Sequence, residues 1–297
     1  MYLVCKLQVL RLGGCMKKAI KFIFYVFIFV IIFSCSKNGS KNTTEIVKTE
    51  EERQAEAQAL LMEQSVMALN WMQQSGEYRA LAYQAFNLAQ MAFDSAKVTD
   101  GKKKAVIVDL DETMIDNSAE GANRVFTKKG YSKEGWSLWC SEERAKAIPG
   151  AIDFANYVIA QGGKIFYVSN RSKNEYQHTV NNLQKLGFPA VDETSVFLKD
   201  KESQKTSRFE EAEKQGCTVV LFIGDNLDDF DFTGETYHQL NNTRREVVDK
   251  NKSAFGIKYI LLPNPIYGNW EGGLCNNYFK STPEQKLKIR RDNLIKD

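Results

Sequence analysis

Histidine is scarce in this chain, which has only two among its 297 residues, His178 and His238. Both lie in polar stretches, and their spacing does not match that of paired metal ligands. We therefore expect surface or structural roles for them. Any catalytic chemistry of the chain is expected to rely on other residue types.

Cysteine is also used without a recognisable pattern. The chain has six cysteines and no C-x-x-C pair, which argues against a zinc site and a disulfide framework. Three of them fall in the first 35 residues, and the rest of the chain holds only Cys140, Cys217 and Cys275. We expect these three to be packing residues, although their spacing leaves a single disulfide open.

The chain has no excess of basic residues outside its N-terminus. Its formal net charge is +3, but residues 1–34 contain five Lys and Arg and no acidic residue, so the remainder carries −2. Without a basic stripe, nucleic-acid binding is not expected as the primary function. Internal repeats are also absent, and 43% hydrophobic with 26% charged residues is typical of a globular protein.

The N-terminus has the pattern of an export signal. A basic segment that begins at Met16 precedes the apolar run Phe22–Phe33, which is too short for an ordinary membrane-spanning helix. The run ends at Ser34-Cys35-Ser36, which resembles a loose bacterial lipoprotein signal with Cys35 as the lipidated residue. We expect an over-extended start at 1–15, a lipoprotein signal peptide at 16–34, and a lipidated cysteine with a polar tether at 35–49.

This pattern predicts a location in the bacterial cell envelope. We expect an outer-membrane lipoprotein that faces the periplasm or the cell surface, with the membrane as a partner through Cys35. A plain membrane anchor in place of the lipid would keep the protein at the same surface.

The rest of the chain has strand and helix patterns in alternation. Residues 50–100 are rich in Ala, Gln, Glu, Leu and Met and predict two helices broken near Ser75-Gly76. Residues 101–297 predict an α/β fold, a Rossmann-like parallel sheet with helices on both faces, and the N-terminal, inserted and C-terminal helical segments are expected to form a small helical domain. The predicted strands are 105–110, 164–168, 196–198, 218–223 and 259–262, and the predicted helices are 149–161, 172–186, 203–215 and 283–297.

Two aspartates follow the first predicted strand. Asp109 and Asp111 stand at positions i and i+2, so on an extended backbone both carboxylates leave the same face. Open α/β sheets place their chemistry just beyond the carboxyl ends of the strands. One carboxylate can attack phosphorus and form an aspartyl-phosphate, while its neighbour handles the leaving group's proton. A lone D-x-D-x-T segment is more often a solvated turn, so this hypothesis depends on the motifs that follow the other predicted strands.

A second acidic cluster follows another predicted strand and contains Asp225, Asp228 and Asp229. Two carboxylate clusters brought side by side would repel each other, so their coexistence indicates a hard cation with oxygen ligands. Mg²⁺ takes one or two carboxylates together with water and substrate phosphate, which suits Asp109 and Asp225 as direct ligands.

Two further segments supply groups that could hold a phosphate. A third predicted strand ends in Ser169-Asn170-Arg171, which offers a hydroxyl and backbone N–H groups to phosphate oxygens. Lys205, or alternatively Lys201, opens a helix and can neutralise both the nucleophile and the transferring phosphoryl group.

The order of these segments resembles the haloacid dehalogenase superfamily, and Asp111 resembles the acid residue of its phosphatase branch. A closer likeness, to the class C acid phosphatases and the lipoprotein e 5′-nucleotidases, begins near residue 71. One departure is Ala119-Glu120, where the family has Pro and an aromatic residue, so we expect part of the substrate-facing wall to differ. The matching stretches are DLDETMIDNS (109–118), AIPG (147–150), YVSNR (167–171), GDNLDDF (224–230) and YGNWEGGL (267–274).

The resemblance implies a Mg²⁺-dependent phosphomonoesterase. Asp109 is then the nucleophile, and Asp111 is the general acid that later acts as the base. The metal ligands are expected to be Asp109, Asp225 and the backbone carbonyl of Asp111. Asp229 is expected to orient a coordinated water or the lysine without binding the metal directly, and Asp228 to be a loop residue. The groups expected to hold the phosphate are Ser169, Asn170 and Lys205.

The resemblance also suggests a substrate class, namely nucleoside 5′-monophosphates including nicotinamide mononucleotide, hydrolysed outside the inner membrane for nucleoside scavenging. Trp136 and Tyr267 lie in predicted loops above the strand ends, where an aromatic face could stack on a base for about 1–3 kcal/mol. Trp139 and Trp270, in the same segments, are expected to join the helical segment to the core instead.

Other functions are compatible with parts of the pattern. A broad-specificity acid phosphatase or a phosphotransferase would use the same active site. A non-enzymatic surface lipoprotein that binds haem or host material would leave the four ordered motifs unexplained. The sequence leaves open whether the protein forms a homodimer.

Overall fold

A parallel sheet of five strands lies at the centre of the structure, a computed structural model that describes residues 48–98 and 101–296. The signal peptide and the lipidation site at Cys35 predicted above lie outside the described residues. Within the described part, no helix is long and apolar enough to cross a membrane. The strands are β1 (Lys103–Val108), β2 (Ile115–Asp116), β3 (Lys146–Ala147), β4 (Lys164–Ser172), β5 (Val196–Lys199), β6 (Cys217–Gly224) and β7 (Tyr259–Leu261).

Helices surround this sheet, and short 3₁₀ turns separate several of them. The turns are Lys173–Glu175, Leu227–Asp229, Lys252–Ala254 and Tyr278–Lys280. The α-helices are α1 (Glu50–Glu63), α2 (Val66–Gln74), α3 (Gly76–Ser95), α4 (Ser118–Thr127), α5 (Lys133–Ser141), α6 (Ala151–Ala160), α7 (Tyr176–Leu186), α8 (Thr206–Glu213), α9 (Thr233–Thr236), α10 (Asn241–Lys250), α11 (Asn269–Gly272) and α12 (Pro283–Asp292).

The strand order and register bring the predicted motifs to one edge of the sheet. The order is β5-β4-β1-β6-β7, and each neighbouring pair is parallel. Val108, the last residue of β1, pairs with Tyr167 on β4 and Ile223 on β6. Asp109 therefore leaves the sheet between Ser169 and the segment that begins at Asp225. The prediction of a parallel α/β sheet is confirmed.

Each face of the sheet is covered by its own apolar cluster. Along β1, Val106 and Val108 belong to a cluster that includes side chains of α3 and α6, whereas Ala105 and Ile107 belong to one that includes Phe209 of α8. This alternation follows from the two-residue period of an extended strand. Because both faces are buried, β1 reads as a continuous apolar run.

The N-terminal region forms three helices, so the prediction of two was incomplete. The break at Ser75 is confirmed, and its side chain accepts a hydrogen bond from the backbone N–H of Tyr78 at 3.1 Å. A second break lies at Gln64-Ser65, where the polar stretch offered no Gly or Pro as a signal. Phe86 and Phe93 of α3 join the core of the sheet.

The prediction that Trp136 and Trp139 lie in a loop was wrong, because both are on α5. Ser132 caps this helix by accepting a hydrogen bond from the backbone N–H of Gly135 at 3.0 Å. Trp136, Trp139 and Cys140 stand at helical spacing, and all three pack inward. Trp270 is likewise on a short helix, α11, whereas Tyr267 is in a loop as predicted.

The described cysteines and histidines agree with their expected roles. Cys140 and Cys217 are buried and Cys275 is half-buried, and all three carry free thiols. His178 contacts Glu143 at 2.7 Å on a partly exposed surface.

Candidate active site

Three carboxylates meet at the carboxyl edge of the sheet. Asp109 follows β1, Asp225 follows β6, and Asp229 lies in the 3₁₀ turn just beyond. Each offers one oxygen, and these oxygens lie within 4.8 Å of one another. Asp109 and Asp225, which are 116 residues apart in the sequence, are thus brought together by the pairing of β1 with β6.

Neutral donors and a close backbone approach orient two of these carboxylates. Asp225 accepts hydrogen bonds from Thr113 at 3.2 Å and Asn264 at 2.8 Å. The second oxygen of Asp229 accepts the backbone N–H of Asn226 at 2.9 Å. Asp229 lies directly against Gly224, where an added Cβ would fall 2.3 Å from the Asp229 Cβ. Glycine is therefore required at the end of β6.

Lys205 lies in the middle of the acidic group and is almost fully buried. Its ammonium group donates to Asp109, to Asp229 at 2.7 Å and to the backbone carbonyl of Val168 at 2.7 Å. Burial alone would lower the pKa of Lys205, but the two carboxylates outweigh burial and raise it. Lys201, the alternative from the sequence, is exposed.

Burial and mutual repulsion favour the protonated form of two carboxyl groups in the acidic group. Burial raises the pKa of Asp109 to about 7, with Lys205 opposing the shift and Asp229 and Asp111 adding to it. Burial, together with Asp229 and Asp109, also raises the pKa of Asp225 well above its usual range. One lysine therefore does not compensate the negative charge of this group.

The donor set fits a hard divalent cation. Its side-chain ligands would be carboxylate oxygens, which Mg²⁺ prefers. Burial, and after it the neighbouring carboxylates, raises the pKa of Asp109 and of Asp225, and a cation would favour the ionised form of both. Asp109 and Asp225 are available as predicted. Asp229 also brings an oxygen into the group. Its Oδ1 contacts Lys205 at 2.7 Å, and to orient this lysine is one of the two roles expected for Asp229.

Asp111 points towards β4 rather than into the acidic group. Arg171, which is 2% exposed, donates to Asp111 Oδ1 through Nε at 2.9 Å and Nη2 at 2.8 Å. Asn117 donates to the same oxygen at 2.9 Å. The other oxygen, Oδ2, accepts a hydrogen bond from Ser169 Oγ at 3.3 Å.

The end of β4 carries the predicted phosphate-binding residues. The Ser169 side chain is buried and accepts the backbone N–H of Arg171 at 3.1 Å, whereas Asn170 is exposed. Arg208 on α8 donates to the Ser169 carbonyl and, at 2.7 Å, to Asn170 Oδ1. It also donates to the backbone of Ser203 at 3.0 Å, so it ties this strand end to the loop that carries Lys205.

Tyr267 reaches the catalytic strand end through Glu112. Its hydroxyl donates to Glu112, which is fully buried and has φ of +59°. Burial raises the pKa of Glu112 well above its usual range, and Asp111 and Asp225 act in the same direction. Tyr267 thus lies beside the site, and its hydroxyl is used to hold its own ring.

The tryptophans differ in their relation to the site. Trp136 is half-buried, and its ring lies under the guanidinium of Arg171, 5.6 Å from Cζ to the ring centroid. Trp139 is buried in the core, as expected, and donates to Asn117 at 2.8 Å. Trp270 was expected to join the helical segment to the core, but it is 41% exposed and does not lie in the core.

Asp228 was expected to be a loop residue, but it lies in the 3₁₀ turn after β6 and belongs to the scaffold around the site. It is buried and accepts hydrogen bonds from Thr236 at 2.6 Å and Arg244 at 3.2 Å. It also accepts one from Asn269. These contacts join the turn after β6 to α9, α10 and α11.

Several residues that build the site were not predicted to do so. Arg171, Asn117 and Glu112 all stand inside matching stretches of sequence, but no spacing rule connects them to one another. A buried Arg within a strand end is an unusual placement and is the one signal that could have drawn attention to Arg171. The others are Thr113, Asn264 and Arg208.

The fold and the site together define an α/β protein of the haloacid dehalogenase type. Residues 34–270 match the family described as HAD superfamily, subfamily IIIB (Acid phosphatase). The chain belongs to this family, which confirms the resemblance seen in the sequence and favours an enzyme over a haem- or host-binding lipoprotein.

Solved structures and curated relatives agree with this assignment. The class C acid phosphatase from Bacillus anthracis is 41% identical, with a TM-score of 0.75, over 80% of this chain and 99% of that one. A second structure of it, with tungstate bound, matches equally well. The stem 28 kDa glycoprotein of Glycine max is 26% identical over 178 residues, and a stem 31 kDa glycoprotein is 26% identical over 140. The chain spans 60% and 46% of the lengths of these two glycoproteins.

Proposed function

We propose that this protein is a Mg²⁺-dependent phosphomonoesterase that acts through an aspartyl-phosphate on Asp109. The observation that carries the proposal is the contact of Asp109 with a buried lysine, Lys205, beside two further carboxylates. A carboxylate in this setting is close to positive charge and can be approached by a phosphate. The tungstate complex of the Bacillus anthracis enzyme supports binding of a tetrahedral oxyanion.

The reaction takes place in two displacements. An oxygen of Asp109 bonds to phosphorus as the ester P–O bond breaks, and Asp111 gives a proton to the leaving alcohol. Water then attacks phosphorus and gives a proton to Asp111, and the bond to Asp109 breaks to release phosphate. Ser169 and Lys205 hold the phosphoryl oxygens, with Asn170 at the exposed rim.

The metal would be held by Asp109, Asp225 and the backbone carbonyl of Asp111. When bound, Mg²⁺ supplies positive charge that stabilises the developing charge on the transferred group. Chelation is expected to abolish phosphate release, and added Mg²⁺ to restore it.

The test of the nucleophile is Asp109→Asn, assayed with a chromogenic phosphomonoester in Mg²⁺. We expect turnover to be lost while the thermal transition is retained, because the amide is similar in size but is not nucleophilic. The matched control is Asp153→Asn on the exposed surface of α6, which should keep full activity. Near-normal turnover of Asp109→Asn would remove Asp109 as nucleophile.

We propose nucleoside 5′-monophosphates, nicotinamide mononucleotide included, as the substrate class. Trp136 lies against Arg171 and Tyr267 against Glu112, both beside Asp111, and aromatic faces stack on any base. Trp136→Ala and Tyr267→Ala should raise KM for a nucleotide far more than for a small aryl phosphate, whereas Trp270→Ala should change neither. Equal losses on both substrates would refute the stacking role. A broad-specificity acid phosphatase would show similar kcat/KM values across nucleotides and aryl phosphates.

We also propose that the protein works at the cell envelope, anchored through a lipid on Cys35, where it releases nucleosides for import. The support is the signal-like sequence before Cys35 and the polar stretch after it. Labelled fatty acid should be incorporated into the wild-type protein in bacteria but not into Cys35→Ser. Equal labelling of the two proteins would exclude Cys35 as the lipidation site.

A further inference from the structure

The two oxygens of Asp111 have different hydrogen-bonding partners. Oδ1 receives three N–H groups, from Arg171 Nε, Arg171 Nη2 and Asn117 Nδ2, at 2.8–2.9 Å. Oδ2 accepts one hydroxyl, that of Ser169, at 3.3 Å. It also accepts Arg171 Nε at 3.2 Å, which is longer than the 2.9 Å from the same nitrogen to Oδ1. Because each carboxylate oxygen offers about two lone-pair sites, the three short contacts saturate Oδ1, whereas Oδ2 is held by two longer and weaker ones.

The groups that hold Oδ1 are themselves fixed. Arg171 donates to Thr179 at 3.3 Å and to Asn117 Oδ1 at 3.1 Å, and the Trp136 ring covers its guanidinium. Asn117 Oδ1 also accepts the indole N–H of Trp139 at 2.8 Å. The orientation of the Asn117 amide is therefore set by two donors on its oxygen.

We propose that Arg171, assisted by Asn117, is the positioning residue of Asp111. Arg171 holds Oδ1 and so turns Oδ2 towards Ser169, the side on which the phosphoryl group binds. Oδ2 is then the oxygen that passes the proton to the leaving alcohol. The inference rests on the proposed phosphatase function, in which Asp111 is the general acid.

The planar guanidinium explains why arginine is needed here. It contacts Asp111 through two nitrogens in a fixed geometry while also reaching Asn117 and Thr179, whereas a lysine has one nitrogen and no plane. Arg171→Lys keeps the buried positive charge but loses the fork. It therefore separates control of orientation from charge balance.

The test compares kcat/KM for two substrates that differ in leaving group. This constant covers the steps up to the aspartyl-phosphate, which include protonation of the leaving group. An alkyl phosphate needs the proton, and 2,4-dinitrophenyl phosphate does not. For Arg171→Lys we expect a loss of about 10–100-fold on the alkyl phosphate and less than about 3-fold on the dinitrophenyl ester, within the range of general acid catalysis.

Three further variants complete the experiment. Asp111→Asn gives the full leaving-group effect, and Arg245→Lys, exposed on α10, should change neither rate. Asn117→Ser removes one donor to Oδ1 and should show the same selective loss at smaller size. If circular dichroism shows that Arg171→Lys does not fold, the two-substrate comparison with Asn117→Ser becomes the test of the inference.

Equal losses on both substrates in Arg171→Lys and Asn117→Ser would overturn the inference and make the pair purely structural. Failure of the proposed function would look different, since the wild-type protein would then hydrolyse neither ester, or Asp109→Asn would hydrolyse both normally.

Discussion

Lys205 provides a sharp test of the charge balance in the site. It is buried, and it is the shared cationic partner of Asp109 and Asp229. Lys205→Met keeps the length and most of the volume of the side chain but removes the charge and the donors. In the metal-free protein, Asp109 and Asp229 would then stay buried without an ion pair to any residue that the structure describes.

The expected cost is large. Removing one partner of a buried ion pair destabilises a protein by about 3–5 kcal/mol, because the remaining charge is uncompensated. Protonation of the freed carboxylates limits this loss, so we expect the lower end of the range at pH 5 and the upper end at pH 8. With a urea m-value of about 3 kcal/mol/M, the midpoint would fall by about 1–2 M.

The assay is urea unfolding in chelator at both pH values, followed by the same measurement in Mg²⁺. Lys201→Met is the matched control, since Lys201 is exposed and four residues away. Its midpoint and its kcat should not change, whereas kcat of Lys205→Met should fall by about 10²–10³, the usual loss for an electrostatic contact to the transition state. A midpoint of Lys205→Met within about 0.3 M of wild type in chelator, well inside the shift expected from the m-value, would refute the reasoning.

Two more predictions concern the acidic group. The pKa of Asp109 and of Asp225 is raised in the folded, metal-free protein, so both groups contribute stability that is fully present below about pH 4, the unfolded pKa, and decreases as pH rises above it. For Asp109 this decrease extends to about pH 7. Melting temperatures in chelator should therefore fall over this range less steeply for Asp225→Asn than for wild type, and parallel curves would contradict the assignment. Gly224→Ala places a Cβ 2.3 Å from the Asp229 Cβ. Because Asp229 must then move, we expect Mg²⁺ binding measured by calorimetry to weaken by at least about 10-fold, as loss of ligand orientation does. The control Gly76→Ala, whose added Cβ would have nothing within 4 Å, should bind Mg²⁺ normally.

Much of the fold could be predicted because the sheet is buried on both faces. The apolar run of β1 and the run before Gly224 are short, rich in β-branched residues and followed by acidic residues, which is a strong local signal. Helices α4 and α5 were missed because they are short and carry glycine and polar residues. Their stability comes from packing, as with the inward-facing Trp139, and packing leaves a weaker trace in sequence.

The site residues that stand at strand ends gave the clearest signal in the sequence. Asp109, Ser169 and Asp225 were predicted correctly to converge, because parallel strands end at one edge. The partners of Asp111 could not be predicted in this way. The contact of Arg171 with Asp111 depends on the side-chain conformation of a buried residue 60 positions away. Local patterns carry no information on that conformation.

The distribution of charge explains why a divalent cation suits this site. Asp111 has Arg171 as a partner, and Asp109 and Asp229 share Lys205. Within the described residues, Asp225 forms no ion pair and contacts only the neutral donors Thr113 and Asn264. The four aspartates Asp109, Asp111, Asp225 and Asp229 thus share two cations, which leaves a formal charge of −2 among them when all four are ionised. A divalent ion beside Asp225 would neutralise this charge, and it would allow Asp109 to remain ionised, as a nucleophile must, at a pH where burial alone would protonate it.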